Sequence, residues 1–366
     1  MLRNIKIALL AGANACGISS LLGSCSWRQK RLLILCYHGV TKSEVQQWNP
    51  SLFMHADVFR KRMSLLQGAN CNVLGLAEAL NRLAAGTLPP RSVVLTFDDG
   101  FADFNNVAWP ILRDFGFPAT LYLTTYYVFR NLPVFDPALD YLLWKGRGQE
   151  LTWSEINARR VLLDPAGRQQ IGRSLQAYAL QKKLTGTEKD DLLKDLADRL
   201  GLDYCAFRQS RALNLLNKEE AKRLSAEGVD LQLHTHRHRT STYQSRFSQE
   251  VLENRDCLEI LGSSHVEHFC YPSGVYREED AQWLQESGIK SAVTCKAGLA
   301  EPGSSALSLP RVVDAFPLTK TEFVGWIYGT SSLVPRRTQA PETISAVEEV
   351  ATELLPRHDH ERIALP

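Results

Sequence analysis

The chain has 366 residues, of which 44% are hydrophobic, and its 42 basic residues nearly balance its 40 acidic residues. This length and composition can build one large barrel-type domain or two smaller domains. The net charge of +2 argues against a nucleic-acid-binding protein that relies on a basic face, because neutralising phosphates requires clustered positive charge.

Residues 1–30 form a leader segment that has two interpretations. Met1–Lys6 is basic and Ile7–Ser24 carries no charge. Ala13-Asn14-Ala15 resembles a signal-peptidase site, and Leu22-Gly23-Ser24-Cys25 resembles a lipoprotein acylation box. Polar residues and glycines dilute the hydrophobicity of the segment, however, and this favours a leading helix that packs on the body of the protein.

The eight cysteines are scattered along the chain, and none of them forms a CxxC pair. Cysteines distributed in this way are typical of buried thiols and of a reducing compartment. We therefore favour a cytoplasmic or inner-membrane-associated protein over an exported one or a lipoprotein. If the protein associates peripherally with a membrane, we expect the N-terminus to make that contact.

Apolar strands alternate with amphipathic helices in the first half of the chain. Arg31–Val40 is a continuous apolar run with a polar end, which predicts a buried parallel strand that presents Tyr37 and His38. The predicted elements that follow are helices over Asp57–Gln67 and Leu76–Ala85, a strand over Val93–Phe97, a helix ending at Phe115 and a strand over Ala119–Thr124. This order is typical of an α/β fold with a parallel sheet.

The next segment, from about Asp136 to Leu216, is charged, helix-prone and free of histidine. We predict that 136–216 is a helical insertion between two strands of a fold that extends over 31–334. Beyond the insertion, the predicted strands are Val229–Leu233, Glu267–Tyr271, Ile289–Thr294 and Leu309–Val313. Residues 335–366 are predicted to form a polar C-terminal tail.

Side chains suited to metal binding or acid–base chemistry follow the predicted strands. Functional groups of parallel α/β folds cluster at the carboxyl ends of strands, and those at or just after such ends here are His38, Asp98, Asp99, His234 and Arg311. Between His55 and His234 the chain has no histidine, and three then occur within five positions. His234 and His238 are four residues apart and can face one point. Two imidazoles and a carboxylate with an open position are typical of a hydrolytic metal site.

Two of these segments resemble the motifs of a known family. Thr96-Phe97-Asp98-Asp99-Gly100 and His234-Thr235-His236-Arg237-His238 resemble T-F-D-D-G and H-[ST]-x-x-H of the polysaccharide deacetylase family, the NodB-homology or carbohydrate esterase 4 group. Tyr37-His38-Gly39-Val40 and Tyr271-Pro272-Ser273-Gly274 also resemble segments of its bacterial members. The similarity extends over about Leu32–Asp314. It implies a deformed (β/α)7-type barrel and the metal-dependent removal of an acetyl group from an N-acetylated sugar.

The resemblance also implies a role for each matching residue. Asp99, His234 and His238 match the metal ligands, and Asp98 matches the catalytic base. Adjacent side chains on an extended segment point in different directions, so the two carboxylates can take separate roles. The ligand set suits Zn²⁺, with Co²⁺ or Ni²⁺ as alternatives. His236, between the two histidine ligands, is expected to face outward or to support a ligand.

The chain departs from the family pattern in two places. The third family motif, R-x-P-[YF], corresponds to Cys270-Tyr271-Pro272-Ser273, so its arginine is absent; we predict that Arg311 holds Asp98 instead. The family's C-terminal histidine, which acts as catalytic acid, also has no counterpart. We assign that role to His38, whose alternative is a hydrogen bond to Asp98 or a backbone carbonyl. Tyr271 is expected to offer its backbone N–H to the oxyanion.

Three functions are compatible with this pattern. The leading one is a deacetylase of N-acetylhexosamine units in a glycan or glycan precursor. The others are an amidohydrolase that acts on a small non-sugar amide, and a catalytically silent barrel that binds metal and glycan. A groove lined by exposed aromatic residues such as Trp109, Tyr126 or Tyr127 would favour a sugar.

Overall fold

The computed structural model describes residues 2–334, so the predicted polar tail over 335–366 lies outside the described residues. The strands are β1 (Leu33–Tyr37), β2 (Gly39–Thr41), β3 (Phe53–His55), β4 (Asn72–Val73), β5 (Ser92–Asp99), β6 (Thr120–Leu123), β7 (Glu150–Trp153), β8 (Ala158–Leu162), β9 (Asp230–Leu233), β10 (His268–Cys270), β11 (Ser291–Val293) and β12 (Val312–Val313). The helices are α1 (Leu2–Ala15), α2 (Ile18–Ser24), α3 (Ser26–Gln29), α4 (Val45–Trp48), α5 (Ala56–Gly68), α6 (Leu76–Ala84), α7 (Trp109–Phe115), α8 (Phe135–Lys145), α9 (Pro165–Gln181), α10 (Gly186–Arg199), α11 (Tyr204–Ser210), α12 (Lys218–Ala226), α13 (Gln244–Ile260), α14 (Glu278–Glu286), α15 (Lys320–Tyr328) and α16 (Thr330–Leu333).

Seven parallel strands form one curled sheet in the order β11-β10-β9-β6-β5-β1-β12, and β4 pairs with β5 beside this path. A single parallel bridge between Val293 and Leu309 links the two ends of the sheet. The strands are buried along nearly their whole length, as their continuous apolar runs predict. Helices provide most of the crossovers that parallel neighbours require. The predicted α/β class and the deformed (β/α) barrel are confirmed.

Residues 134–207 form a second compact unit. It contains α8, α9, α10 and most of α11, and a capping box between Thr185 and Glu188 starts α10. The unit also contains an antiparallel hairpin of β7 and β8, although the sequence predicts only helices there. Burial alternates along the hairpin, with Leu151 and Trp153 buried and Glu150 exposed. The charged residues of the hairpin obscure this alternation in the sequence.

The predicted N-terminal helix is present as α1, and it packs on α15, which has no counterpart among the predicted elements. Lys6 Nζ lies 3.2 Å from Glu322 Oε1, and buried Leu10 lies beside Gly325 of α15. The helix ends before Gly17, whose φ of +75° favours glycine. Within the part of the chain that is described, no single helix has the length and apolar composition to span a bilayer. Only α1 and α2 together do, with a bend of 76° between them.

Asp103, just before the π-helical turn over Phe104–Ala108, is expected to make stability depend on pH. Neither carboxylate oxygen makes a hydrogen bond of normal geometry, and burial raises the pKa of Asp103 to about 8. An unfolded aspartate has a pKa near 4, so the native state binds one more proton between roughly pH 4 and pH 8. Its contribution to stability should therefore fall with rising pH, by up to about 1.4 kcal/mol per pH unit.

Asp103→Asn removes this titration and is expected to raise the free energy of unfolding most at pH 8. Urea unfolding of the two proteins at several pH values measures the difference. The matched control is Asp114→Asn, at an exposed aspartate paired with Arg60, which should leave the pH dependence unchanged. A pH dependence that is the same in Asp103→Asn and the natural protein would contradict the prediction.

Candidate functional site

The predicted site residues meet near one edge of the curled sheet, where the strands have their carboxyl ends. Asp98 and Asp99 end β5, His38 follows β1, and His234 follows β9. Arg311 differs from the prediction, because it precedes β12 instead of ending the last strand. Its neighbour Val312 pairs with Leu35 in the middle of β1, so the long arginine side chain reaches the edge from inside the barrel.

Asp99, His234 and His238 form a candidate metal centre. Nε2 of His234 and Nε2 of His238 each lie 3.3 Å from Oδ1 of Asp99, and the three candidate ligand atoms lie within 4.8 Å of one another. Ligand atoms bound at about 2.1 Å to a tetrahedral ion lie about 3.4 Å apart, so the observed separations fit a single ion. His238 is partly exposed, which leaves one side of the centre accessible to substrate.

His234 is held by two neighbouring elements, one through its ring and one through its backbone. Its Nδ1–H donates to the carbonyl of Cys270 at 2.8 Å, which leaves the lone pair of Nε2 facing Asp99. Its backbone N–H donates to Oδ1 of Asn254 at 2.8 Å. Asn254 was not predicted, although a signal was present. It is the one polar position in a buried stripe of α13 with Phe247, Val251 and Leu258.

The backbone around the metal centre is unusual. Asp99, Thr235 and His238 have φ values of 67°, 61° and 56°, in the left-handed region that residues other than glycine rarely adopt. Such conformations cost about 1–3 kcal/mol each and are concentrated at functional sites. The hydroxyl of Thr235 accepts a hydrogen bond from the Arg239 N–H at 3.0 Å, which supports the turn between the two histidines.

Asp98 is paired with Arg311 in the interior. Nη1 of Arg311 donates to Oδ1 and Nη2 donates to Oδ2, both at 2.7 Å, so the pair is bidentate. Burial alone would raise the pKa of Asp98, but the charge and hydrogen bonds of Arg311 hold it well below its usual range. Asp98 is therefore a carboxylate at neutral pH. It does not serve as a helix cap, and one of its carboxylate oxygens lies within 4.8 Å of a ring nitrogen of His234, next to the metal centre formed by its neighbour.

Two buried thiols also contact Asp98. Sγ of Cys36 and Sγ of Cys270 each lie 3.4 Å from Oδ2. Burial raises the pKa of both cysteines, so they are protonated and can donate weak hydrogen bonds. The prediction of buried thiols is confirmed for Cys36 and Cys270, but it is wrong for Cys16, Cys205 and Cys295, which are exposed. The contact of the two buried thiols with Asp98 was not predicted. Cys270 occupies the position where the family motif has its arginine, which is the signal that could have indicated it.

Asp99 is ionised as well, which is the form that a metal ligand needs. Burial raises its pKa, and the nearby His238 and His234 outweigh this and hold the pKa at about 2. His236 takes no part in the centre. It is buried, and its Nδ1 lies 2.8 Å from the hydroxyl of Thr125. The expectation that His236 faces outward is wrong. Its buried position agrees with the alternative, in which His236 supports the loop that carries the ligands.

The remaining predicted residues lie around this centre. Nε2 of His38 is 3.9 Å from Oδ2 of Asp98, and about one fifth of its side chain is exposed. The backbone N–H of Tyr271 donates to the carbonyl of Val293 over a long 3.3 Å, so its role at an oxyanion stays a prediction. Trp109 is buried and donates to Glu227, and it therefore cannot line a groove as suggested. Tyr126 is half-buried and contacts the ring of His236.

The chain is similar to known proteins in its sequence pattern and in its fold. The sequence pattern of the family described as polysaccharide deacetylase matches residues 85–162 and 170–292, more than half of the chain. The structure of a Streptococcus pyogenes deacetylase, PplD, in complex with acetate is similar with a TM-score of 0.53 and 19% identity, over 83% of this chain and 99% of that one. IcaB from Ammonifex degensii is similar with a TM-score of 0.51 and 17% identity, over 81% and 97%. No curated protein matches significantly.

Proposed function

The chain belongs to the polysaccharide deacetylase family, and we propose that it uses a divalent metal ion to remove acetyl groups from N-acetylhexosamine units of a glycan or glycan precursor. Members of this family hydrolyse the carbon–nitrogen bond of acetylated sugars. One observation carries the proposal for this chain. Two adjacent, ionised carboxylates have separate surroundings, since Asp99 faces two imidazoles and Asp98 faces Arg311.

Asp99, His234 and His238 would hold the ion, and their two imidazoles and one carboxylate suit Zn²⁺, Co²⁺ or Ni²⁺. When bound, such an ion would acidify a water molecule and polarise the acetamide carbonyl. Hydrogen bonding of His234 to the Cys270 carbonyl supports this assignment, because it selects the tautomer with a free Nε2.

The other residues would move or hold protons. Asp98 is the group that would take the proton of the attacking water, and Arg311 keeps its carboxylate ionised and oriented. His38 lies close to Asp98 and is partly exposed, which supports its role as the acid that protonates the leaving amine. The N–H of Tyr271 would stabilise the oxyanion if its long bond to Val293 is exchanged for one to substrate.

Acetate release after metal removal tests the proposal. The protein is stripped with a chelator, supplied with Zn²⁺, Co²⁺ or Ni²⁺, and assayed on N-acetylated oligosaccharides and on small non-sugar amides. We expect acetate from the oligosaccharides only, lost on chelation and restored by the ion. Turnover of the small amides alone would support the amidohydrolase alternative. Bound metal and bound glycan without acetate release would support the silent barrel.

His38→Ala is expected to lower kcat for acetate release by about a hundredfold or more, because loss of a catalytic acid typically costs 10²–10⁴-fold. Metal content should not change, because His38 is not among the proposed ligands. The control is His265→Ala, at an exposed histidine that is not among the proposed site residues, and it should leave kcat unchanged. An unaltered kcat in His38→Ala would show that another group protonates the amine.

We also propose that the protein works in the cytoplasm or at the inner membrane. All eight cysteines are free, and Cys36, Cys257 and Cys270 are buried, as expected for a protein of a reducing compartment. Fractionation of cells that express the untagged chain tests this location. Recovery in the periplasmic fraction, the outer membrane or the medium would contradict it.

A further inference from the structure

The outer faces of α1 and α2 expose a group of large apolar side chains. Ile5, Leu9, Ile18 and Leu21 are 51%, 61%, 55% and 74% exposed, and no described element covers them. The other side of the two helices packs inward, with Leu10 buried. Single exposed apolar residues are common on proteins, but a group of four on two adjoining helices indicates an interaction surface.

The charge of this region is of one sign. Residues 1–31 contain five lysines and arginines and no aspartate or glutamate, and the first acidic residue of the chain is Glu44. Lys6 and Arg31 form ion pairs with the body of the protein, and Arg28 is buried. Arg3 lies 3.7 Å from Glu322, but about half of its side chain is exposed, and Lys30 is exposed as well. An apolar face on a segment that has basic but no acidic side chains of its own is complementary to an anionic lipid surface.

The apolar face begins beside the edge of the sheet that carries the active site. Phe316, three residues beyond the end of β12, is 68% exposed, and its N–H donates to the carbonyl of Pro50 at 3.1 Å. The guanidinium of Arg3, at the start of α1, donates to the carbonyl of the next residue, Pro317. The start of α1 is thereby attached to the loop that follows β12. That loop lies at the carboxyl end of the strands, where Asp98 and His234 also lie.

We propose that Ile5, Leu9, Ile18, Leu21 and Phe316 form a lipid-binding face that docks on an anionic bilayer, and that the substrate is an acetylated glycan carried at that bilayer. The apolar side chains would enter the headgroup region, and the basic residues would hold the protein at anionic lipids. The position of Phe316 and Arg3 would bring the active-site edge next to the surface. The statement about the substrate rests on the proposed function, whereas the statement about binding does not.

Vesicle flotation tests the binding. The full chain is expected to float with vesicles of phosphatidylcholine and phosphatidylglycerol, and much less with phosphatidylcholine alone. Leu9→Ser combined with Leu21→Ser should weaken the binding roughly tenfold or more, since burial of each large apolar side chain contributes substantially. Ile5→Ser combined with Ile18→Ser should behave in the same way. The matched control is Leu252→Ser, at an exposed leucine of α13, which should bind as the natural chain does.

Three results would overturn the lipid-binding face. One is vesicle binding that is equal in the double variants and in the control. Another is a dimer of the natural chain, in sedimentation experiments without lipid, that the double variants convert to a monomer, since a second copy would then cover the face. The third is an intact mass of the membrane-extracted protein that shows loss of residues 1–24 and an acyl group on Cys25. Thermal unfolding confirms that each variant is folded.

Acetate release from one oligosaccharide in two forms tests the substrate. The natural chain is expected to turn over the lipid-linked, vesicle-held form at least tenfold faster than the free form at the same glycan concentration. The Leu9→Ser, Leu21→Ser variant should lose this preference and keep its rate on the free form. Equal rates on both forms, with vesicle binding intact, would overturn the inference about the substrate. Absence of acetate from both forms would instead count against the proposed function.

Discussion

Asp98→Asn is expected to retain the metal ion and to lose about a thousandfold in kcat, because asparagine keeps the shape of the side chain but cannot accept a proton. Asp98 is not among the proposed ligands Asp99, His234 and His238, so metal content should stay near that of the natural protein. Metal analysis of the dialysed protein and acetate release from an N-acetylated oligosaccharide measure the two quantities. Circular dichroism checks that the variant is folded, since Arg311 loses its countercharge.

The neighbouring carboxylate provides the matched comparison for this variant. Asp99→Asn changes the residue type in the same way but removes a charged ligand, so the metal affinity should fall and excess ion should restore part of the rate. Asp98→Asn, in contrast, should not respond to added metal. If Asp98→Asn loses its ion, or if Asp99→Asn keeps both ion and rate, the two aspartates do not have the separate roles that we assign to them.

The barrel was predictable because buried parallel strands are continuous apolar runs. Leu33–Tyr37 and Ser92–Asp99 stand out in the sequence for this reason. The hairpin of β7 and β8 was missed because only one of its sides is buried and its other positions are charged. Helix α15 was missed although Thr319 and Glu322 form a capping box there. Its buried face is set by contact with α1, which local sequence does not reveal.

The site was predictable to the extent that it lies on short local segments. Asp98 and Asp99 are adjacent, and His234 and His238 are four apart, so the sequence itself places each pair. The contact between Arg311 and Asp98 was a correct prediction for a physical reason, since a buried carboxylate needs a cationic partner. The Arg311 side chain approaches Asp98 from inside the barrel because of the register of β12 against β1, and this register cannot be read from the sequence.

Contacts from other strands and helices were not predictable in the same way. Cys36 and Cys270 reach Asp98 only because β1 and β10 lie on either side of the barrel interior, and Asn254 reaches His234 only because α13 packs behind β9. No characteristic spacing in the sequence connects these residues with the two motifs. They follow from packing. The two thiols offer neutral donors to the reactive carboxylate, while Arg311 supplies the opposite charge.

Arg311→Gln is expected to destabilise the protein by about 3–5 kcal/mol at pH 7, because it leaves a buried carboxylate without its cationic partner. Arg311 is fully buried and donates two hydrogen bonds to Asp98. Native Asp98 has a pKa well below that of the unfolded chain, so the ion pair contributes its whole stabilisation above about pH 4 and loses it only at lower pH. Urea unfolding at pH 7 measures the loss in Arg311→Gln, with Arg311→Lys as the variant that keeps the charge and loses the bidentate geometry.

Arg311→Gln should also shift the pH dependence of kcat, which the loss of a purely structural residue would not do. Without Arg311, burial raises the pKa of Asp98, so the acid side of the kcat profile should move to higher pH as more of the base becomes protonated. The double variant Asp98→Asn, Arg311→Gln removes both members of the pair. It should recover most of the stability lost in Arg311→Gln, because no buried charge is left unpaired, but it should recover none of the activity. A double variant no more stable than Arg311→Gln, together with an unshifted kcat profile in Arg311→Gln, would show that Arg311 does not hold the base.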